Sequence, residues 1–116
     1  MNKNKEIGRK GELLAAEYLI NRGYQIIQKN FRKNRKEIDI IAQINNTIVF
    51  VEVKTRLSER FGPPEDSIDD RKIENILDCA NDYIQETLWK GEIRFDIITV
   101  KSSDWSILNH IQDAFY

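Results

Sequence analysis

This 116-residue chain has one cysteine and one histidine, Cys79 and His110. A lone cysteine excludes an internal disulfide and a thiolate zinc cluster. A lone histidine argues against a histidine-based metal site or a Ser-His-Asp triad. With two prolines and five glycines, the chain has little material for linkers, and its Pro-rich spot, Gly62-Pro63-Pro64, is too short to divide domains. No apolar run approaches the ~18 residues of a membrane-spanning helix. The start, MNKNKEIGRK, is basic but leads into no apolar segment, so it does not read as a secretory signal. These absences together point to a reducing, cytoplasmic setting with no membrane partner. Hydrophobic residues make up 41% of the chain and net charge is only −1, which argues against disorder. The length fits a single domain over residues 1–116.

The small net charge hides an asymmetry. Residues 1–36 carry +7 and residues 37–116 carry −8. A basic third on a mildly acidic protein is either an electrostatic footprint for phosphates or an ordinary solvated surface.

Hydrophobic periodicity predicts a helix over 5–21, with Ile7, Gly11, Leu14, Ala15, Tyr18 and Leu19 on one stripe and Gly23 placed to end it. Strands follow over 24–31, 37–44 and 47–54, the last two joined by Asn45-Asn46, a pair that tolerates the positive φ of a tight hairpin turn. Ser67 or Asp69 is placed to cap a helix over about 69–88. That helix is expected to bury Ile73, Ile76, Leu77, Ala80, Ile84 and Leu88, and Gly91 to break it. Residues 92–100 and 105–111 complete the order α-β-β-β-α-β-β. This is an α/β domain with a central mixed sheet and a helix on each side.

The hairpin over 37–54 carries the chemistry. Strand alternation puts Ile48, Phe50, Glu52 and Lys54 on one face, with Glu52 and Lys54 about 6.6–6.8 Å apart along the strand. A two-residue turn at Asn45-Asn46 pairs Ile44 with Thr47, Ile41 with Phe50, and Asp39 with Glu52. Directly opposed residues have Cβ atoms about 4.5–5.5 Å apart, so the two carboxylates are expected side by side. Opposed like charges among Ile and Val need a counter-charge. A divalent cation supplies one, and all-oxygen ligation suits Mg²⁺ or Mn²⁺. The plain alternative is an ion-pair network in which Lys54 alone neutralises the two acids. Glu12, at the border of the first helix's apolar stripe beside Gly11, can reach toward the sheet, or can be an ordinary exposed acid.

The segments Gly8-Arg9-Lys10-Gly11-Glu12, Tyr18-Leu19, Gly23-Tyr24, Asn30-Phe31-Arg32, Glu37-Ile38-Asp39-Ile40-Ile41-Ala42, Phe50-Val51-Glu52-Val53-Lys54-Thr55-Arg56 and Phe61-Gly62-Pro63-Pro64 occur in this order over nearly the whole chain. Together they resemble the YraN-like family of small bacterial proteins. That family is similar to the restriction-endonuclease-like superfamily with its PD-(D/E)xK signature, and in motif layout to the archaeal Holliday-junction resolvases. The resemblance implies a restriction-endonuclease-like fold. It gives Asp39 the place of the signature's Asp, Glu52 and Lys54 those of its second acid and its lysine, and Glu12 that of a helical glutamate. Ile38 stands where the signature has Pro, and Lys36 stands where the family usually has Gly before Glu37.

The activity implied is metal-dependent hydrolysis of phosphodiester bonds in DNA, more than in RNA, with branched or junction DNA as the structure-specific option. Asp39, Glu52 and the Val53 carbonyl would hold Mg²⁺ or Mn²⁺. Lys54 would orient or deprotonate the attacking water, and Glu12 would bind a metal-bound water or a second cation. Arg9, Lys10, Arg32, Lys33, Arg35, Lys36 and Arg56 flank this edge in sequence and are the candidate phosphate contacts. A rival from a different class is a non-catalytic nucleic-acid-binding module with the same fold. Phe61-Gly62-Pro63-Pro64 and Trp105, Phe115 and Tyr116 are candidates for a homodimer surface, with core packing as the commoner role for such residues. Cys79 and His110 are read as structural.

Overall fold

The computed structural model describes residues 3–57 and 69–115. Its elements are α1 (Lys3–Asn21), β1 (Gln25–Lys33), β2 (Lys36–Ile44), β3 (Thr47–Arg56), α2 (Asp70–Thr87), β4 (Glu92–Lys101) and β5 (Ser106–Ile111). The expected element order is found, with β1 two residues longer at its C-terminal end than the periodicity alone suggests. The strands form one mixed sheet in the order β1-β2-β3-β4-β5. Among the described residues β3 and β4 form the one parallel pair, from Thr47↔Glu92 to Arg56↔Lys101. A parallel pair needs a crossover, and α2 supplies it. Among the described residues no helix is long and apolar enough to cross a membrane.

The two helices cover opposite faces. Ala15, Ala16 and Leu19 of α1 pack on Ile40, Ala42, Val49, Val51, Ile98 and Val100. Ile76, Cys79, Ala80 and Tyr83 of α2 pack on Phe31, Ile38, Ile41, Ile48, Phe50 and Phe95. Ile7 does not join the α1 core and is 37% exposed. α1 ends where the chain turns at Gly23 (φ 92°), with the Tyr24 N–H donating to the Leu19 carbonyl at 3.0 Å.

α2 starts at Asp69, whose carboxylate accepts from the Lys72 N–H at 2.8 Å. Its buried stripe is Ile76, Cys79, Ala80 and Tyr83, so the face is rotated from the expected one. Leu88 is not buried. It takes the left-handed conformation at the helix end (φ 57°) and is 72% exposed. Gly91 serves a different purpose from ending the helix: a Cβ there would stand 2.6 Å from the Asn46 carbonyl oxygen. The close approach of β4 to the β2–β3 turn requires it.

On the α1 face a buried polar chain links the helix to β4 and β5. Asp96 is fully buried and accepts from Arg94 Nε and Nη2, each at 2.9 Å, and its Oδ2 lies 2.8 Å from His110 Nε2. His110 Nδ1 lies 3.0 Å from the Tyr18 hydroxyl, and Arg94 also donates to the Tyr24 hydroxyl. Burial pushes the Asp96 carboxyl up, but the bonds from His110 and Arg94 outweigh it and hold it below the ordinary value. His110 is therefore a structural link between α1 and the far edge of the sheet.

Candidate active site

The β2–β3 hairpin turns at Asn45-Asn46 in the expected register, from Ile44↔Thr47 to Ile40↔Val51. Beyond that point the pleat is interrupted. Ile38 packs with the α2 cluster and Ile40 with the α1 cluster, although residues two apart on a regular strand share a face. In the neighbouring strand Phe31 pairs with Ile38 and Lys29 with Ile40, and Asn30 between them has φ 55°. Asp39 sits at this irregularity. Its Oδ2 accepts the Val53 N–H at 2.8 Å, so the carboxylate lies across the gap between β2 and β3.

That position brings Asp39 against Glu52. Burial is the main cause that raises the Asp39 pKa from 3.8 to about 7, and the charge of Glu52 is the next. The Val53 N–H and Lys72 pull it the other way, while a hydrogen bond shared with Glu52 favours the protonated form. Glu52 is 5% exposed, and its Oε1 is buried with no hydrogen-bond partner. Its Oε2 lies 3.5 Å from the ammonium of Lys72, which arrives from the first turn of α2. Asp39 is half-buried and Glu52 buried, and two such acids with one oxygen unpartnered and one cation at long range are short of positive charge.

Glu12 approaches from the other helix. Gly11 makes this possible: a Cβ there would stand 2.2 Å from Thr55 Oγ1, so α1 presses directly on β3 at this point. Asn30 Nδ2 donates to Glu12 Oε1 at 3.0 Å. The Glu12 carboxyl is raised, first by burial, against the lowering effect of Asn30, and further by the charges of Asp39 and Glu37. The three acids thus meet at Asp39. Among the described residues no group of three or more His, Cys, Asp and Glu side chains is close enough to hold one ion. A cation here would take Asp39, Glu52 and the main-chain oxygen of Val53, with Glu12 one step back. The unpartnered Glu52 Oε1 and the repelling pair fit such an ion.

Lys54 is half-buried, two residues along β3 from Glu52. Its register partner on β4 is Thr99, which is fully buried with its Oγ1 unpartnered. Lys72 and Thr99 are site residues that the sequence reading missed. The one available signal is that Thr99 interrupts the apolar run Ile97-Ile98-Thr99-Val100.

The basic residues do not gather on one surface. Arg9 and Arg32 line a cleft of about 460 Å³ with Lys5, Glu12, Asn30 and Glu37, between α1 and the β1–β2 ribbon. Lys33 and Lys36 face α2 instead: Lys33 pairs with Glu86, and Lys36 with Asp78 at 2.7 Å. Lys10 Nζ stands 4.6 Å from the centre of the Trp105 ring. Arg35 lies in the exposed β1–β2 turn (φ 69°), and Arg56 is half-buried at the end of β3. Of the candidate dimer aromatics, Trp105 packs beside the α1 core and Phe115 stacks on Phe95 at 5.4 Å. Phe61-Gly62-Pro63-Pro64 and Tyr116 lie outside the described residues.

Fold and site together define a mixed α/β sheet domain whose central hairpin sets half-buried Asp39 against buried Glu52 without a full counter-charge. The model of the uncharacterised protein family UPF0102 matches residues 11–100, and the chain belongs to that family. It is 41% identical to a UPF0102 protein of Christiangramia forsetii, over 100% of this chain and 98% of that one. It is 44% identical to one from Syntrophomonas wolfei, over 97% of this chain and 99% of the relative. A third UPF0102 protein, from Persephonella marina, is 45% identical over 93% of this chain and 91% of its own length.

Proposed function

We propose that this protein is a metal-dependent nuclease that hydrolyses phosphodiester bonds in DNA, with branched or junction DNA as one substrate to be tested. The observation that carries the reading is the Asp39–Glu52 pair, in which half-buried Asp39 stands against buried Glu52, whose Oε1 is unpartnered, without a full counter-charge. Asp39, Glu52 and the Val53 carbonyl would hold Mg²⁺ or Mn²⁺, which when bound supplies Lewis-acid activation of water and of the phosphate. Lys54, on the same strand, orients the attacking water and offsets charge that develops on the phosphate. Glu12 accepts a hydrogen bond from a water in the site. Arg9 and Arg32, with Lys5, bind flanking phosphates in the cleft that opens beside Glu12.

The test is cleavage of duplex, single-stranded, flap and four-way DNAs with Mg²⁺ and with Mn²⁺, comparing wild type with Asp39→Asn and Lys54→Ala. Cleavage by wild type alone supports the reading. The basic cleft favours a second reading, a binding module without catalysis. Salt-dependent DNA binding with no cleavage of any substrate by either metal would establish that one instead.

A further inference from the structure

The Lys72 ammonium lies 3.5 Å from Glu52 Oε2, and it comes from a different element than Lys54. Its placement breaks a local rule. Asp69 caps α2, so Lys72 is the third residue of the helix, where a positive charge opposes the helix dipole. The helix alone would favour an acid there. The side chain is 42% exposed, whereas the carboxylate it reaches is 5% exposed. The 3.5 Å separation is longer than the ~2.7–2.9 Å of a tight charge-assisted hydrogen bond. The lysine thus offsets the buried charge without satisfying both oxygens, and Glu52 Oε1 stays unpartnered. Its backbone is fixed by the cap, through the 2.8 Å bond from its N–H to Asp69. Its side chain can swing into solvent without disturbing the helix.

We infer that Lys72 is the site's built-in counter-ion, which a divalent cation must displace from Glu52 in order to bind. This inference rests on the metal-binding reading above. Without metal, the ammonium supplies part of the charge the pair lacks. When the cation arrives, Lys72 is released toward the solvent side of the site. Lys72 therefore sets the cation affinity, and a purely structural ion pair would instead persist whether or not the metal is bound.

The test uses the full chain without nucleic acid. Mn²⁺ binding is measured by calorimetry, and thermal unfolding is followed with and without saturating Mn²⁺. Lys72→Gln should tighten Mn²⁺ binding by about tenfold, the order expected for one competing, partly screened unit charge near 4 Å. It should melt below wild type without metal and level with wild type when Mn²⁺ is saturating. Arg71→Gln removes an equal charge from the same turn and should change neither. Lys72→Arg retains the charge and offers a fork that grips a carboxylate more firmly, so it should weaken Mn²⁺ binding. It also serves as the test if Lys72→Gln fails to fold. Wild type that binds Mn²⁺ with the Lys72 variants unchanged overturns this inference and leaves the metal-binding reading intact. Binding by Lys72→Gln where wild type shows none supports it. No Mn²⁺ binding by any of these proteins overturns both.

Discussion

Asp39→Asn should stabilise the metal-free protein at alkaline pH and do little at acid pH. Folding raises the Asp39 carboxyl from 3.8 to about 7, so the native state holds a proton that the unfolded chain has already lost. Stability therefore falls as pH rises through that window, because the native state binds more protons than the unfolded one. At about 1.36 kcal/mol per pKa unit, the full shift corresponds to roughly 4 kcal/mol, most of it developed by pH 8. Asp39 is half-buried, so solvent screens part of this cost, and the expected gain for the variant is about 2–4 kcal/mol at pH 8. Well below pH 3.8 Asp39 is protonated in both states and the difference should vanish. Asparagine keeps an oxygen for the Val53 N–H, so the bond across the gap survives the exchange. Urea unfolding of both proteins in a chelator, from pH 4.5 to 8.5, measures the difference at constant slope. Parallel pH profiles, or a wild type more stable than Asp39→Asn at pH 8, would refute the claim that burial and Glu52 load this carboxyl.

Three further outcomes follow from the packing. Gly11→Ala would put a Cβ 2.2 Å from Thr55 Oγ1 and should cost about 1–3 kcal/mol in denaturant unfolding, most of it recovered in the double variant with Thr55→Ala. Asp96→Ala strands the Arg94 guanidinium and His110 in a buried site and should cost about 3–5 kcal/mol by the same assay. Replacing Arg9 and Arg32 with Ala should weaken DNA binding and flatten its salt dependence by a slope of roughly 0.9 per lost phosphate contact on duplex. Replacing Lys33 and Lys36, which pair with Glu86 and Asp78, should leave that slope nearly unchanged.

Local signals made most of the fold legible. The turn at Asn45-Asn46 fixed the hairpin register as far as Ile40↔Val51, because hairpin register follows from turn length. Helix, strand and cap signals likewise lie within a few residues of the elements they specify, as Asp69 and Gly23 show. The α2 face was less legible. The expected stripe counted only aliphatic residues, whereas the helix buries Cys79 and Tyr83, whose sulfur and ring fill the space above Phe31 and Phe50. Leu88 fell outside because the helix ends in a left-handed residue that no glycine marks.

The site was legible in its acids and illegible in its cations, for one physical reason. Asp39 and Glu52 are neighbours through a hairpin, a contact between segments close in sequence, so counting from the turn carries the register to Ile40↔Val51 and brings the two acids together, although the pleat breaks at Asp39. Lys72 reaches Glu52 only because the β3–α2–β4 crossover folds the helix back over the sheet, and no periodicity encodes that contact. The basic run at Arg32-Lys33-Asn34-Arg35-Lys36 shows the converse. In sequence it is one patch, yet successive side chains of a strand point to opposite faces. Arg32 turns to the cleft beside Glu12, while Lys33 and Lys36 are held by acids of α2. A charge run on a strand or tight ribbon is therefore divided by the pleat before it can act as one surface. On the nuclease reading proposed above, the phosphate-binding residues should be sought beside Glu12, at Arg9 and Arg32, whose charges are not taken up by the acids of α2 that hold Lys33 and Lys36.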